Sequence, residues 1–454
     1  MRILVTVLLG FGLSEAFAQT QPDEATGPSP LLSEPAAGVS GVEAEHSDLL
    51  SPDSVVLPPT FVPETYDGNA ADGTLSQKFA GCCDSSCFDP AGYKFSWGPD
   101  KWAKVGAAVK GSFNSQTYPS PGIGGNYFTV NNARLLTSGQ VTKYMGFELN
   151  ADVNLAQSLS AATVAVPSSY NLLDAIVKLE TGDLFNIWAG QFLPPSDRSN
   201  IDGPFFINGW DFPFVANYPA VFQGRQIGAA YWGQWAGGQV KWSVGAFNGT
   251  GGNLQSPFTN PPDSPPDPNN NLQFDARVTI NFLDPEPGYY HQSSYFGQKD
   301  IFAVGFALQS QKNAVGTAAN PANFLGLSMD VLFEKKLASN GVVTVEGALY
   351  RYNDQDLATS SRQGDSGFVY LGYLLPYVFD IGPISGRWRP FSRYQQYNRD
   401  FLAPSAGLYS QGVDAGVEYV MNGPNARVMA LWSERNVVAG ERIQLFTLGA
   451  EVVF

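Results

Sequence analysis

The chain has 454 residues, a formal net charge of −15 and a mean hydropathy of −0.12. No apolar run of about 18 residues follows the N-terminal segment, which excludes a transmembrane helix and leaves a β-barrel as the membrane-spanning fold the chain could adopt. Aromatic residues and glycine are frequent, with 31 Phe, 20 Tyr, 9 Trp and 48 Gly, as expected for many strands with aromatic girdles.

Residues 1–18 have the pattern of a secretory signal peptide. Arg2 supplies a basic start, an apolar stretch follows it, and Ala16-Phe17-Ala18 provides a small-x-small cleavage site. We therefore expect export, with cleavage near Ala18.

Residues 19–77 are rich in Pro, Ser, Ala and acidic residues, a composition typical of a disordered tether. Residues 19–100 hold 13 acidic and 2 basic side chains, whereas residues 101–454 carry a net charge of only −4. The low isoelectric point therefore belongs to the tether. We interpret its acidic residues as solvating groups rather than as a calcium or partner site.

Three cysteines, Cys82, Cys83 and Cys87, lie in the pre-barrel segment 78–100. In an exported protein they are compatible with one disulfide, which would leave one thiol for an intermolecular bond or as a lipid or metal ligand. A zinc site would need a fourth ligand, for which the tether offers only His46. We favour the disulfide and expect no metal site.

From residue 101 onward, apolar residues alternate with small or polar residues at a period of two. In the last segment Phe446, Leu448 and Val452 fall on one face, while Thr447 and Glu451 fall on the other. This pattern predicts an all-β fold, a sixteen-stranded antiparallel transmembrane barrel over residues 101–454. The predicted strands are 103–113, 126–137, 145–155, 170–181, 185–192, 224–235, 239–248, 272–283, 300–310, 325–335, 341–352, 366–376, 388–398, 410–420, 426–435 and 442–454.

The predicted connections alternate between short and long, as in barrels that have turns at one end and loops at the other. Two connections, 284–299 and 377–387, depart from this alternation. A soluble sandwich would also show alternating strands, but it would need a second sheet to cover the continuous apolar face.

The connection 193–223, the third long loop, is stiffened by proline and rich in large apolar residues. Such a segment makes a poor solvent loop, so we expect it to fold inward and narrow the lumen. A cap packed outside on neighbouring loops is the alternative. The predicted pore constriction consists of Asp197, Arg198, Asp202, Asp211 and Arg225.

The polar faces of the predicted strands supply the charges that would line the lumen. The candidates are Lys104, Lys110, Arg134, Glu148, Asp152, Asp174, Lys178, Glu180, Asp275, Arg277, Asp330, Glu346 and Arg393, and the same alternation places Arg351, Asp414, Glu418 and Glu451 inward. Acidic residues outnumber basic ones in this set. The balance favours a non-selective or weakly cation-selective pore over an anion-selective one.

Four motifs stand out in the barrel region: Asn132-Ala133-Arg134-Leu135, the row AGQFLPPSDRSN from Ala189, Arg225 with Ile227-Gly228, and Ala246-Phe247-Asn248-Gly249. Together they resemble the phosphate-selective porin O and P family over residues 101–454, with Gly-Gln-Phe-x-Pro-Pro as the most specific element. The resemblance implies a sixteen-stranded outer-membrane porin, often trimeric, with an inward third loop. For the anion-selective members it also implies a ladder of lysines and arginines along the pore.

These features predict passive diffusion of small hydrophilic solutes and ions across the outer membrane of a Gram-negative-type bacterium. The alternatives are an anion- or phosphate-selective porin and a structural or adhesive surface barrel, whose inner faces would have to be apolar rather than small and charged. We expect no enzyme, since the two histidines are His46 and His291 and no serine lies in a nucleophile context. The expected partners are the lipid bilayer, lipopolysaccharide, the solutes and two further copies in a homotrimer, with no nucleic acid and no cofactor.

Overall fold

The computed structural model describes residues 92–117, 124–153, 170–216, 224–249, 271–317, 320–355, 363–400, 409–437 and 442–454. Within them the chain is mostly β-strand. The strands are β1 (Tyr93–Gly98), β2 (Lys101–Thr117), β3 (Gly124–Gln140), β4 (Met145–Val153), β5 (Tyr170–Glu180), β6 (Asn186–Phe192), β7 (Gln226–Trp235), β8 (Val240–Phe247), β9 (Gln273–Asn281), β10 (Ile301–Thr317), β11 (Asn320–Lys336), β12 (Val342–Gln355), β13 (Gly364–Leu374), β14 (Phe379–Ile381), β15 (Ile384–Arg399), β16 (Tyr409–Val420), β17 (Ala426–Val437) and β18 (Arg442–Val453). One short helix, α1 (Arg198–Asp202), and a 3₁₀ turn (Ala236–Gly238) complete the described elements. In this part of the chain, no helix is both long and apolar enough to cross a bilayer.

Sixteen of these strands form a closed antiparallel ring. Strands β2 to β13 and β15 to β18 pair with their neighbours in chain order, and β18 returns to pair with β2. At this seam Leu448 lies opposite Phe113 and Val452 opposite Val109. Closure leaves the ring without a long unpaired edge. The predicted sixteen-stranded barrel is confirmed.

The two faces of the wall differ as the alternation predicted. In β18, Phe446, Leu448 and Val452 are exposed on the outer face, whereas Thr447 and Glu451 are buried on the inner face. Apolar residues of other strands are exposed in the same way, among them Leu149 of β4, Phe306 of β10 and Leu371 of β13. This arrangement suits a barrel with lipid outside and water or polar groups inside.

One strand lies in the segment that the sequence marked only as preceding the barrel. In β1, Tyr93 pairs with Val105 near the start of β2. The last residue, Phe454, exchanges backbone hydrogen bonds of 2.6 and 2.8 Å with Ala107. β1 and β18 therefore pair with the same edge of β2, β18 with its later residues and β1 with its first residues. Without β1 this part of the β2 edge would be open.

Several strand ends lie beyond the predicted ones. β2 ends at Thr117 and β3 begins at Gly124, although residues 114–125 were predicted to be a loop. In the same way, β10 ends at Thr317 and β11 begins at Asn320. The predicted strands 300–310 and 325–335 are therefore too short, and most of the connection between them is strand. Its polar residues resembled a loop by composition, but cross-strand pairing satisfies their backbone groups in a long hairpin. The 377–387 connection likewise contains a short strand, β14.

Candidate functional site

Residues 193–216, named here the inward loop, run through the inside of the ring. Lys110 of β2 donates a 2.9 Å hydrogen bond to the carbonyl of Pro204, and Arg277 of β9 donates a 2.9 Å bond to the carbonyl of Ser196. Because β2 and β9 stand nearly opposite each other in the ring, only a segment inside the lumen can reach both. The loop therefore folds inward, as its apolar composition predicted.

A second loop, residues 282–300 between β9 and β10, meets the inward loop from the other end of the barrel. Arg198 donates two hydrogen bonds of 2.7 Å to the carboxylate of Glu286, and both side chains are fully buried. The backbone N–H of Ser293 also donates to the carbonyl of Phe206 at 3.1 Å. Burial opposes the charged form of Glu286, but the Arg198 guanidinium outweighs it and holds the pKa of this carboxyl well below its ordinary value. The two loops are therefore joined inside the lumen by a charged pair.

The inward loop fills one side of the lumen. The inner faces of β12, β13 and β15 there carry Tyr350, Tyr352, Phe368, Tyr370, Phe391 and Tyr397. Trp210 and Val215 of the loop pack into this aromatic cluster, and Trp210 also covers Gly449 of β18, where any side chain would meet the indole ring. The expectation of small and charged inner faces is therefore wrong for this side, because the apolar residues of the loop need an apolar wall to bury against.

The other side retains a cavity of about 560 Å³ between β2 to β6 and the inward loop. Its lining extends from Lys143, in the turn between β3 and β4, to Asp174 of β5 and to Arg225, which precedes β7. Its charged lining residues are the basic Lys94, Lys104, Arg134, Lys143, Lys178 and Arg225 and the acidic Asp100, Glu148, Asp174, Glu180 and Asp202. We name this space the lumen cavity.

Three ion pairs hold charges on the wall of the lumen cavity. They are Arg134–Asp152 at 2.8 Å, Arg225–Asp174 at 3.0 Å and Lys178–Glu148 at 2.6 Å. Each pair places opposite charges within hydrogen-bond distance, so the field each projects into the cavity is small.

Two of the five residues predicted at the constriction, Asp202 and Arg225, line the lumen cavity. Asp197 and Arg198 instead make their contacts away from it, with β12 and the second loop. The side chain of Asp211 is exposed, and its carbonyl accepts a hydrogen bond from β15. Successive residues of a helical turn point in different directions, so a sequence run of charges does not face one space. A constriction role for these residues stays a prediction.

The thirteen predicted lumen residues occupy the polar side of their strands. Lys104, Arg134, Glu148, Asp174, Lys178 and Glu180 line the lumen cavity. Lys110, Arg277, Asp330, Glu346 and Arg393 contact the inward loop. Asp152 pairs with Arg134, and Asp275 accepts hydrogen bonds from Gln273. Whether solutes pass these groups stays a prediction.

Arg351 does not lie on the inner face. It is the cross-strand partner of Leu327 and Asp365, and it forms a 3.0 Å salt bridge with Asp365 on the outer side of the wall. Its inner-facing neighbours are Tyr350 and Tyr352, which belong to the aromatic cluster. The predicted inward orientation of Arg351 was wrong. An error of one residue in the alternation moves a side chain to the opposite face of the strand.

The entry of residues 282–300 into the barrel was not predicted from the sequence. Their row contains Tyr289, Tyr290 and Tyr295, all buried, at the end of the barrel where turns are short. Large apolar side chains in a long connection need burial, in this segment as in the third loop. The predicted signal peptide, tether and disulfide candidates Cys82, Cys83 and Cys87 lie outside the described residues.

No protein-family model matches the chain, and no curated protein matches it in sequence. Among solved structures, the outer membrane channel DcaP of Acinetobacter baumannii is similar with a TM-score of 0.49 and 12% identity, over 79% of this chain and 99% of that one. OprB of Pseudomonas putida has a TM-score of 0.49 and 10% identity, over 78% of this chain and 94% of that one. The anion-selective porin from Comamonas acidovorans has a TM-score of 0.45 and 12% identity, over 78% and 100%.

His291 of the second loop is expected to make the stability of the barrel depend on pH. Its ring lies among cations, with Nδ1 3.4 Å from Lys241 Nζ and Nε2 accepting a 3.3 Å hydrogen bond from Arg277, while the Glu286 carboxylate is 3.8 Å away. Burial, followed by the Lys241 charge, lowers the pKa of His291 well below 6.5. The unfolded chain therefore binds a proton at a higher pH than the folded chain, and stability falls as the pH drops below about 6.5.

Between pH 7 and pH 5 the free energy of unfolding should decrease in both proteins. We expect the decrease to be about 1–2 kcal/mol smaller in His291→Gln than in the wild type. Urea unfolding of the detergent-solubilised barrel at both pH values measures the difference. The comparison between pH values within each protein removes the effect of the substitution at neutral pH. Equal losses in the two proteins would mean that other groups cause the acid sensitivity.

Proposed function

We propose that the chain is an outer-membrane porin that lets small hydrophilic solutes and ions diffuse passively through its barrel. The lumen cavity is the observation that carries the proposal. A wall with an apolar outer face around a charged cavity of about 560 Å³ supports a polar path for solutes inside the barrel. A barrel filled on both sides with apolar side chains would offer no such path.

The location follows from the same argument. A closed barrel with a lipid-compatible band suits the outer membrane of a Gram-negative-type bacterium, with the bilayer and lipopolysaccharide as its surroundings. The resemblance to the phosphate-selective porin O and P family supports this location, and it also supports a homotrimer.

We propose that the pore is non-selective or only weakly selective for charge. The lumen cavity is lined by six basic and five acidic residues, and the three ion pairs on its wall cancel much of their fields. Some of the acidic residues that outnumber the basic ones in the sequence do not line this cavity. Asp330 and Glu346, for example, accept hydrogen bonds from the inward loop. An anion- or phosphate-selective pore is the less favoured alternative, because Arg134, Arg225 and Lys178 each face a carboxylate.

Single-channel recording of the purified protein in a planar bilayer tests the proposal. Stable open steps with a reversal potential near zero in a potassium chloride gradient are the expected result. A strongly anion-selective reversal potential with block by phosphate would support the phosphate-selective alternative. No conductance would favour a structural barrel. The aromatic cluster around Trp210, which fills one side of the lumen, would then support that alternative.

Two substitutions on the wall of the lumen cavity should shift its selectivity in opposite directions. Lys104 of β2 and Glu180 of β5 both line the cavity and are only partly buried. We expect Lys104→Gln to raise, and Glu180→Gln to lower, the potassium-to-chloride permeability ratio by about twofold in dilute salt, where screening is weak. Reversal potentials at two ionic strengths measure both changes. Shifts of the same sign, or none, would place the conducting path away from this cavity.

A further inference from the structure

The wall formed by β4, β5 and β6 contains a complete site for an ammonium group. Lys178 Nζ lies 2.6 Å from a carboxylate oxygen of Glu148 and 4.0 Å from the centre of the Trp188 ring. The indole N–H of Trp188 donates a 3.0 Å hydrogen bond to Glu180, which fixes the plane of the ring. A carboxylate beside an aromatic face is an arrangement that binds alkylammonium ions.

The aromatic part of this site is held rigidly. Tyr289 and Tyr290 of the second loop pack against Trp188, with ring centres 4.7 and 5.4 Å away. The ring therefore keeps its position when the cation above it changes. A receptor that is already ordered loses little entropy when it binds.

The charged part of the site is open to the lumen cavity. The side chains of Lys178 and Glu148 are 14% and 17% exposed, in contrast to 0% and 1% for the Arg198–Glu286 pair. Glu148 also accepts a 2.7 Å hydrogen bond from Asn150, which orients its carboxylate when no cation is present. A solute in the cavity can therefore reach the place that the lysine ammonium occupies.

We propose that Glu148, Glu180 and Trp188 form a subsite for the ammonium group of a solute that crosses the barrel, and that Lys178 occupies this subsite when it is free of solute. The inference rests on the proposed passage of solutes and names primary alkylammonium ions as a class that the pore binds. The tethered lysine competes at an effective concentration of about millimolar or more. Binding is therefore weak enough for the solute to leave, as conduction requires.

Isothermal titration calorimetry of the full chain in detergent, with n-butylammonium chloride as the probe, tests the subsite. Lys178→Thr removes the tethered competitor with a residue that suits a strand. We expect it to bind the probe with a Kd about tenfold lower than the wild type. Lys104→Thr is the matched control, since it removes the same charge from the wall of the same cavity but leaves the subsite occupied. It should bind within about twofold of the wild type.

The double variant Lys178→Thr with Glu148→Gln should lose the gain and return to the affinity of the wild type. Far-UV circular dichroism verifies the fold of each variant, and n-butanol replaces the probe as an uncharged control. Equal gains in the two threonine variants would attribute the effect to net charge and overturn the subsite, as would no gain in Lys178→Thr. Conductance is recorded in parallel. Absence of conductance would refute the proposed function while the calorimetry still decides the subsite.

Discussion

Replacing Arg198 by methionine is expected to lower the free energy of unfolding by about 3–5 kcal/mol. The substitution leaves Glu286 buried in the lumen without its charged partner, and both side chains are at most 1% exposed in the native barrel. The remaining donors, such as the Tyr295 hydroxyl at 2.6 Å, do not carry a charge. The substitution also removes one of the connections between the inward loop and the second loop, while the hydrogen bond from Ser293 to Phe206 remains.

Urea unfolding in detergent, followed by tryptophan fluorescence, measures this effect. The double variant Arg198→Met with Glu286→Gln should be more stable than Arg198→Met alone, because no carboxylate is then left without a partner. Lys335→Met is the control for an exposed pair, since Lys335 and Asp300 are 44% and 30% exposed, and it should cost less than about 1 kcal/mol. If Arg198→Met and Lys335→Met proved equally mild, the buried pair would not hold the loops.

Replacing residues 199–214 by a short Gly-Ser linker is expected to raise the single-channel conductance by roughly threefold or more, because a sixteen-stranded barrel without an inward element encloses a wide aqueous space. The deletion removes Trp210 and the apolar packing that fills one side of the lumen. The wall strands keep their pairing, since no part of the ring ladder lies in these residues.

Planar-bilayer recording compares the deletion variant with the wild type and with Trp210→Ala, which removes one ring and should give an intermediate conductance. Resistance to proteolysis in detergent shows whether the barrel remains closed in each variant. An unchanged conductance in a folded deletion variant would mean that the inward loop does not limit the current.

The strands and the orientation of their side chains were predictable from the period-two alternation in the sequence. In β18 the positions of Phe446 and Glu451 follow from alternation alone, and the same rule places strands around the ring and assigns their outer faces. The inward loop was also predictable, because Trp210 and its apolar neighbours cannot remain in solvent. These inferences need only residue type and position in the chain.

Features that depend on contacts across the lumen were not predictable. The sequence does not show that Arg198 pairs with Glu286, because these two residues come from separate connections at opposite ends of the barrel. The wall of the barrel follows from the sequence, since a period of two records which side of each strand meets lipid. The interior depends on the folded chain, since closure of the ring brings two loops and the inner faces of distant strands together and sets which charges pair and which side stays open.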